Sequence, residues 1–127
     1  MHITILGRQP ALGVAELEQL YGADNVRWFS EQTALVDSPN FDFETLGGSQ
    51  KAGRVVLELD RGNWLTASRQ IVQHYAAKWR ASEHKITLGI SAYGFKISPR
   101  DVQKTGLILK SSLKKSGTSL RLIPNDQ

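Results

Sequence analysis

The 127-residue sequence predicts an α+β fold divided into two small units. Short β-rich runs alternate with longer segments in which apolar residues recur every three to four positions, an order typical of mixed α and β structure. Hydrophobic residues make up 40% of the chain and charged residues 22%, so we expect a buried core. The charge also changes sign near residue 61, where we place the boundary between the units.

The first unit begins with a strand and a helix. The β-rich run at residues 2–7 forms a short strand that Gly7 ends. Pro10 then opens a helix that runs to Tyr21, because proline is favoured in the first helical turn, and Gly22 ends it. The apolar residues at helical spacing in this segment are Val14, Leu17, Leu20 and Tyr21.

Three strands and a short helix complete the first unit. Residues 26–29 and 34–36 are two strands joined by a polar turn, as in a hairpin. Residues 41–46 form a short helix that the following glycine pair ends, and residues 54–59 form the last strand. The resulting order βαββαβ is that of a ferredoxin-like fold, in which two helices cover one face of an antiparallel sheet.

The second unit has the order αβαβ. Residues 64–81 form a helix for which Asn63 is the N-cap, and residues 85–93 follow as a strand. Residues 99–115 form a second helix, whose start is marked by a serine–proline pair, and residues 119–123 form the last strand. We therefore predict one domain over residues 1–60 and a second over residues 61–127.

Net charge distinguishes these two domains. Residues 1–60 carry four Lys and Arg against nine acids, a net charge of −5. Residues 61–127 carry twelve Lys and Arg against three acids, a net charge of +9. A basic surface attracts a polyanion such as a nucleic acid, but it also keeps an ordinary domain soluble, so charge alone leaves both interpretations open.

The last helix concentrates this positive charge. At about 100° per residue, five cations fall within an arc of about 140°, opposite a face of core-type residues. The cations are Arg100, Lys104, Lys110, Lys114 and Lys115, and the core face consists of Val102, Thr105, Gly106, Leu109 and Leu113. Such a stripe suits the phosphate backbone of RNA, and a solvated helix face is the alternative. Lys96 before the helix and Arg121 on the last strand are further candidate phosphate contacts.

Several other classes of function find no support in the sequence. The chain has no cysteine, which excludes disulfides and thiolate zinc sites, and its three histidines lack metal-ligand spacing. It contains no P-loop, dinucleotide-binding, nucleophile-elbow or zinc-protease motif, so we assign no catalytic residue and no cofactor to it. No apolar run approaches the roughly 20 residues of a membrane span, so we expect a cytoplasmic protein without membrane contact.

Two segments resemble a family of RNA-modifying enzymes. Residues 5–17 (ILGRQPALGVAEL), together with residues 46–48 and Lys51, resemble the N-terminal ferredoxin-like domain of THUMP-containing RNA methyltransferases. The closest resemblance is to the enzymes that methylate guanosine N2 in tRNA. The resemblance to the THUMP domain of the same enzymes is carried by residues 88–94 (LGISAYG), 109–115 and 120–122.

The resemblance implies that residues 61–127 bind the tRNA acceptor end and that residues 1–60 brace them against a C-terminal methyltransferase domain. In this family, that catalytic domain binds S-adenosylmethionine and holds the target amine with a (D/N)PP(Y/F)-type loop, and this chain has neither feature. We expect a THUMP domain to continue beyond Gln127, so the chain resembles a fragment or a truncated relative. The alternative is a ferredoxin-like regulatory or dimerisation module that binds a small metabolite or a partner protein.

Overall fold

The computed structural model describes residues 1–59, 62–94 and 97–124 of the chain. It contains three α-helices, a four-stranded antiparallel sheet and a separate two-stranded sheet, which confirms the predicted α+β class. The chain divides into two compact units, Met1–Glu58 and Leu59–Gln127. The boundary predicted from charge lies two residues later, after residue 60.

The first unit is built on the four-stranded sheet. Its strands are β1 (His2–Leu6), β2 (Val26–Ser30), β3 (Thr33–Val36) and β4 (Ser49–Arg54), and they lie in the order β2-β3-β1-β4. All neighbouring strands are antiparallel. Helix α1 (Pro10–Tyr21) has the predicted bounds, with proline in its first turn and Gly22 at its C-cap.

The core of the first unit lies between α1 and one face of the sheet. Leu17 from α1 is fully buried against Leu6 of β1 and against Ala34 and Val36 of β3. Strand β3 contributes both Ala34 and Val36 to this core. They lie two positions apart because side chains alternate between the faces of a strand. Four partly buried residues extend this core, namely Tyr21, Val26, Phe41 and Leu46.

A glycine clasp joins α1 to the loop before β4, and we define it by Gly13, Glu16, Gly47 and Gly48. A Cβ atom at Gly13 would lie only 2.7 Å from the Gly48 carbonyl oxygen, so the two backbones approach more closely than any larger residue allows. The Glu16 carboxylate accepts a hydrogen bond of 2.9 Å from the Gly47 N–H and one of 3.0 Å from the Gly48 N–H. The clasp therefore fixes the chain just before it enters β4.

Two elements of this unit differ from the sequence prediction. The helix expected at residues 41–46 is only a 3₁₀ turn, Phe43–Thr45. The Asp42 side chain caps its start by accepting a hydrogen bond from the Glu44 N–H, and the backbone is already extended again at Leu46, with φ −94° and ψ 132°. The strand expected at residues 54–59 lies earlier, at β4, because β4 is fixed by pairing with β1 and not by local apolar content. Its first residue, Ser49, is buried, and its remaining residues are exposed.

The second unit has the predicted order αβαβ. It consists of α2 (Trp64–Lys78), β5 (Ile86–Gly89), α3 (Pro99–Lys115) and β6 (Leu120–Ile123). Strands β5 and β6 pair in parallel, so α3 is the crossover that connects them. The buried residues Leu109, Leu113 and Leu120 form its core, and the partly buried residues packed against them are Val72, Tyr75, Ala76, Trp79, Ile86, Leu88 and Leu122.

Thr118 ties the end of α2 to the turn between α3 and β6. Its hydroxyl donates to the Trp79 carbonyl oxygen at 3.0 Å and accepts from the Ser82 N–H at 3.2 Å. The chain leaves α2 through Ala81, whose φ of 57° is left-handed. Helix α2 therefore ends at Lys78, three residues before the predicted end.

Candidate nucleic-acid interface

Helix α3 carries the candidate interface, and its two ends follow from the sequence. The Ser98 side chain accepts a hydrogen bond of 3.2 Å from the Asp101 N–H, which caps the helix, and Pro99 occupies the first turn. At the other end, the Gly117 N–H donates to the Lys114 carbonyl oxygen, and Gly117 has the left-handed φ of 86° that favours glycine. The helix has the predicted bounds.

One face of α3 is buried and the opposite face is basic. The buried residues are those placed on the core face by the helical wheel, namely Val102, Thr105, Gly106, Leu109 and Leu113. The exposed cations, which we call the basic stripe, are Arg100, Lys104, Lys110, Lys114 and Lys115. The fold thus presents all five cations on a surface that the core of the unit does not occupy.

The basic stripe is not neutralised within the described part of the chain. None of its five side chains makes an ion pair or a hydrogen bond with another described residue. The one acid on α3 is Asp101, which lies in the first turn, where a carboxylate interacts favourably with the helix dipole. The stripe is therefore available to an anionic partner.

The other two predicted contacts lie outside α3. Arg121 is exposed on β6, between the buried Leu120 and the partly buried Leu122, and it pairs across the sheet with Thr87. Lys96 lies outside the described residues. The structure thus places five of the seven predicted phosphate contacts on one helix face.

Two aliphatic side chains lie among the cations of the basic stripe. Leu107 is 50% exposed and Ile108 is 49% exposed. The helical wheel places Leu107 within the stripe and Ile108 at its margin, next to Lys115. The surface therefore offers apolar contact area next to its charges, which a purely solvated helix face does not need.

A surface cavity of about 390 Å³ lies at the C-terminal end of α3. Its lining residues are Lys110, Lys114, Gly117, Thr118, Ser119 and Leu120. The helical spacing in the sequence predicts the two lysines but not the cavity, because the rest of its lining comes from the turn that leads into β6. Gly117, whose φ is positive, is the signal in the sequence for that turn, yet a glycine alone does not indicate a cavity.

The histidines and the remaining helices show no other site. His2 stacks on Phe41 with ring centroids 4.5 Å apart, and His74 packs edge-on against Tyr75 at 4.9 Å. Within residues 1–59, 62–94 and 97–124, no three His, Asp or Glu side chains are grouped so that they could hold a metal ion. In the same ranges, every helix is too short or too polar to cross a membrane.

Comparison with models of protein families, with curated proteins and with solved structures gives no match for this chain. The chemistry of the basic stripe and its cavity is therefore the basis on which a function can be argued.

Proposed function

We propose that this chain binds RNA through the basic stripe of α3. The observation that carries the proposal is the exposure of five cations on one helix face without an acidic partner among the described residues. Each Lys or Arg that meets a phosphate releases condensed counterions, a gain that does not depend on base sequence. A stripe of this kind binds a polyanion at physiological salt.

The extent of the stripe also fits a nucleic acid strand. Arg100 and Lys115 are fifteen residues apart, which corresponds to about 22 Å along the axis of an α-helix. That length spans several phosphates, whereas a small metabolite would engage only a part of it. The exposed Leu107 and Ile108 add apolar surface on which ribose or an unstacked base can lie.

More specifically, we propose that the RNA is tRNA and that the parent enzyme of this chain is a tRNA methyltransferase. This part rests on the resemblance of residues 5–17 and 88–94 to the ferredoxin-like and THUMP domains of such enzymes. The strand order β2-β3-β1-β4 supports a ferredoxin-like first unit, although a 3₁₀ turn replaces its second helix. Catalysis and S-adenosylmethionine then belong to a separate methyltransferase domain, with which this chain would act as the RNA-binding portion.

The proposal is tested by measuring the affinity of the chain for bulk tRNA and for a duplex RNA over a range of salt concentrations. The test variant is Arg100→Glu with Lys104→Glu, which reverses two charges of the stripe. Glutamate at position 100, in the first turn of α3, is favourable to the helix dipole, and glutamate at position 104 is a good helix former, so the helix is retained. The matched control is Arg69→Glu with Lys85→Glu, which makes the same change in net charge at exposed positions outside α3.

We expect tRNA affinity to fall steeply with salt and the test variant to make the slope of log affinity against log salt shallower by about 1.4 to 1.8. At 0.1 M salt, the same two lost contacts correspond to roughly 25- to 60-fold weaker binding. An equal loss in the control variant would show that net charge, and not the stripe, drives binding. Thermal stabilisation by a small metabolite without any response to RNA would favour the regulatory module instead.

A further inference from the structure

The cavity at the C-terminal end of α3 has two neighbouring lysines and no acid among the described residues that line it. Lys110 and Lys114 are four residues apart on the helix, so their side chains lie on the same face and repel each other. None of the six lining residues is Asp or Glu. An anion in the cavity would therefore replace a repulsion by two attractions.

Ser119, which also lines the cavity, supplies two further hydrogen-bond donors. Neither its backbone N–H nor its hydroxyl has a partner among the described residues, whereas its carbonyl accepts from the Ile86 N–H at 3.0 Å. The neighbouring N–H groups of Gly117 and Thr118 are committed to Lys114 and Leu113, which close the end of α3. The free donors of this turn thus belong to Ser119, a residue that lines the same cavity as the two lysines.

The helix dipole explains only part of this arrangement. Lysines in the last turn are favourable because the C-terminus of a helix carries partial negative charge, and this applies to Lys114 and Lys115. Lys110 lies more than a turn before the end of α3, where the effect of the dipole has faded. The dipole also requires neither a cavity nor the uncommitted donors of Ser119, so a ligand accounts for more of the observations.

The charge and volume of the cavity indicate which anion it takes. Two ammonium groups match the charge of a phosphate monoester, which is about −1.5 to −2 at pH 7, better than the single charge of a backbone diester. A monoester also has three free oxygen atoms to accept from the two lysines and from Ser119. The volume of about 390 Å³ exceeds what phosphate alone fills and lies within the range of small-molecule sites.

We propose that this cavity binds a phosphate monoester attached to a nucleoside, either the terminal phosphate of an RNA or a free mononucleotide. The RNA form rests on the proposed function and deepens it, since it assigns one end of the basic stripe to the end of the RNA chain. The exposed Leu107, three residues before Lys110 on the same helix face, provides apolar surface next to the cavity for the nucleoside.

The test compares one RNA oligonucleotide with a 5′-phosphate, with a 3′-phosphate and with hydroxyl groups at both ends, measured by fluorescence anisotropy on the full chain. Adenosine monophosphate and inorganic phosphate are added as competitors. The variant is Lys110→Met with Lys114→Met, which removes both charges and keeps the apolar stems. The matched control is Lys104→Met with Lys115→Met, which removes two charges of the same stripe outside the cavity lining.

We expect the chain to prefer one phosphorylated end over the hydroxyl end by about tenfold, as charge-assisted hydrogen bonds would give. The preference should disappear in Lys110→Met with Lys114→Met and remain in the control variant. Adenosine monophosphate should compete with the phosphorylated oligonucleotide better than inorganic phosphate does. An NMR titration of the unmodified chain gives an independent reading, because the Ser119 amide resonance should shift with adenosine monophosphate.

The outcomes separate this inference from the proposed function. Equal affinity for phosphorylated and hydroxyl ends, with a Ser119 amide that does not shift, would overturn the cavity site while leaving RNA binding intact. A Ser119 shift with the mononucleotide in a chain that binds no RNA would support the cavity site and overturn the proposed function. Equal competition by inorganic phosphate and adenosine monophosphate would contradict a contribution from the nucleoside.

Discussion

Gly13 and Gly106 both lie on the buried faces of helices, yet an added methyl group would meet different atoms at each. At Gly13, the Cβ atom would lie 2.7 Å from the Gly48 carbonyl oxygen, which is itself held at 2.9 Å by the Gly7 N–H. At Gly106, it would meet the side-chain ends of Leu122, also at 2.7 Å. A side chain can rotate away, whereas a backbone carbonyl in a hydrogen bond cannot move without breaking that bond.

We therefore expect Gly13→Ala to destabilise the first unit by about 1 to 3 kcal/mol, the usual cost of overpacking, despite the higher helix propensity of alanine. Gly106→Ala should change stability by less than about 1 kcal/mol, because rotation of Leu122 and the gain in helix propensity offset each other. Urea unfolding followed by circular dichroism measures both. Equal stability of the two variants would show that the clasp is looser than the 2.7 Å approach implies.

Thr118 shows how one residue connects two elements. Its side chain is 2% exposed, and its hydroxyl serves both the last carbonyl of the α2 end and the Ser82 N–H. Valine has nearly the same shape but can neither donate nor accept. Replacement by valine would thus remove both of these hydrogen bonds and leave only the direct hydrogen bond of 3.2 Å from the Ser82 N–H to the Trp79 carbonyl oxygen.

We expect Thr118→Val to cost about 1 to 3 kcal/mol, because it removes two hydrogen bonds that are each worth about 0.5 to 1.5 kcal/mol. Thr118→Ser keeps both hydrogen bonds and loses one methyl group, so it should cost about 0.8 kcal/mol. Denaturant midpoints of the two variants give the comparison. If serine were as destabilising as valine, packing of the methyl group and not the hydrogen bonds would hold this junction.

The elements that could be predicted from the sequence are those whose limits are set by local chemistry. Helices α1 and α3 have the predicted bounds because each begins at a proline and ends beside a glycine that closes it. The buried face of α3 was predictable because it depends only on helical periodicity. The same periodicity placed the five cations of the basic stripe together.

Elements set by distant partners could not be predicted in this way. Strand β4 contains Gln50, Lys51 and Gly53, which have little tendency to form a strand, and the register with β1 fixes it there. The strand predicted at residues 54–59 was the better local candidate and was wrong. The cavity beside Lys110 and Lys114 escaped prediction for the same reason, since one part of its lining is the turn that leads into β6, and β6 is fixed by its pairing with β5.

The described part of the chain forms two cores that share no residue. Leu17 is fully buried in the first core and Leu113 in the second. Alanine at either position should cost about 2 to 5 kcal/mol, which is large for units of about 60 residues with small cores. We expect each substitution to accelerate hydrogen exchange mainly in the unit that contains it.

Hydrogen exchange of the intact chain, measured by mass spectrometry, gives the exchange rates of the two units separately and so tests this expectation. Protected amides of β1 and β3 should exchange faster in Leu17→Ala, and those of α3 and β5 in Leu113→Ala. A uniform increase across both units in either variant would contradict the division at Glu58 and Leu59 and would indicate one cooperative structure.

Strand β2 forms one edge of the four-stranded sheet, and its pairing with β3 shifts register between Trp28 and Ser30. Trp28 is 49% exposed and Phe29 is 68% exposed at this edge. A flat, aromatic edge strand would be a template for aggregation, because its free backbone groups could pair with the edge of another molecule. A β-bulge at such a register shift twists a strand and interrupts its row of hydrogen-bonding groups. We therefore expect the irregularity at Phe29 to disfavour growth into intermolecular sheets while it leaves two aromatic rings at the surface.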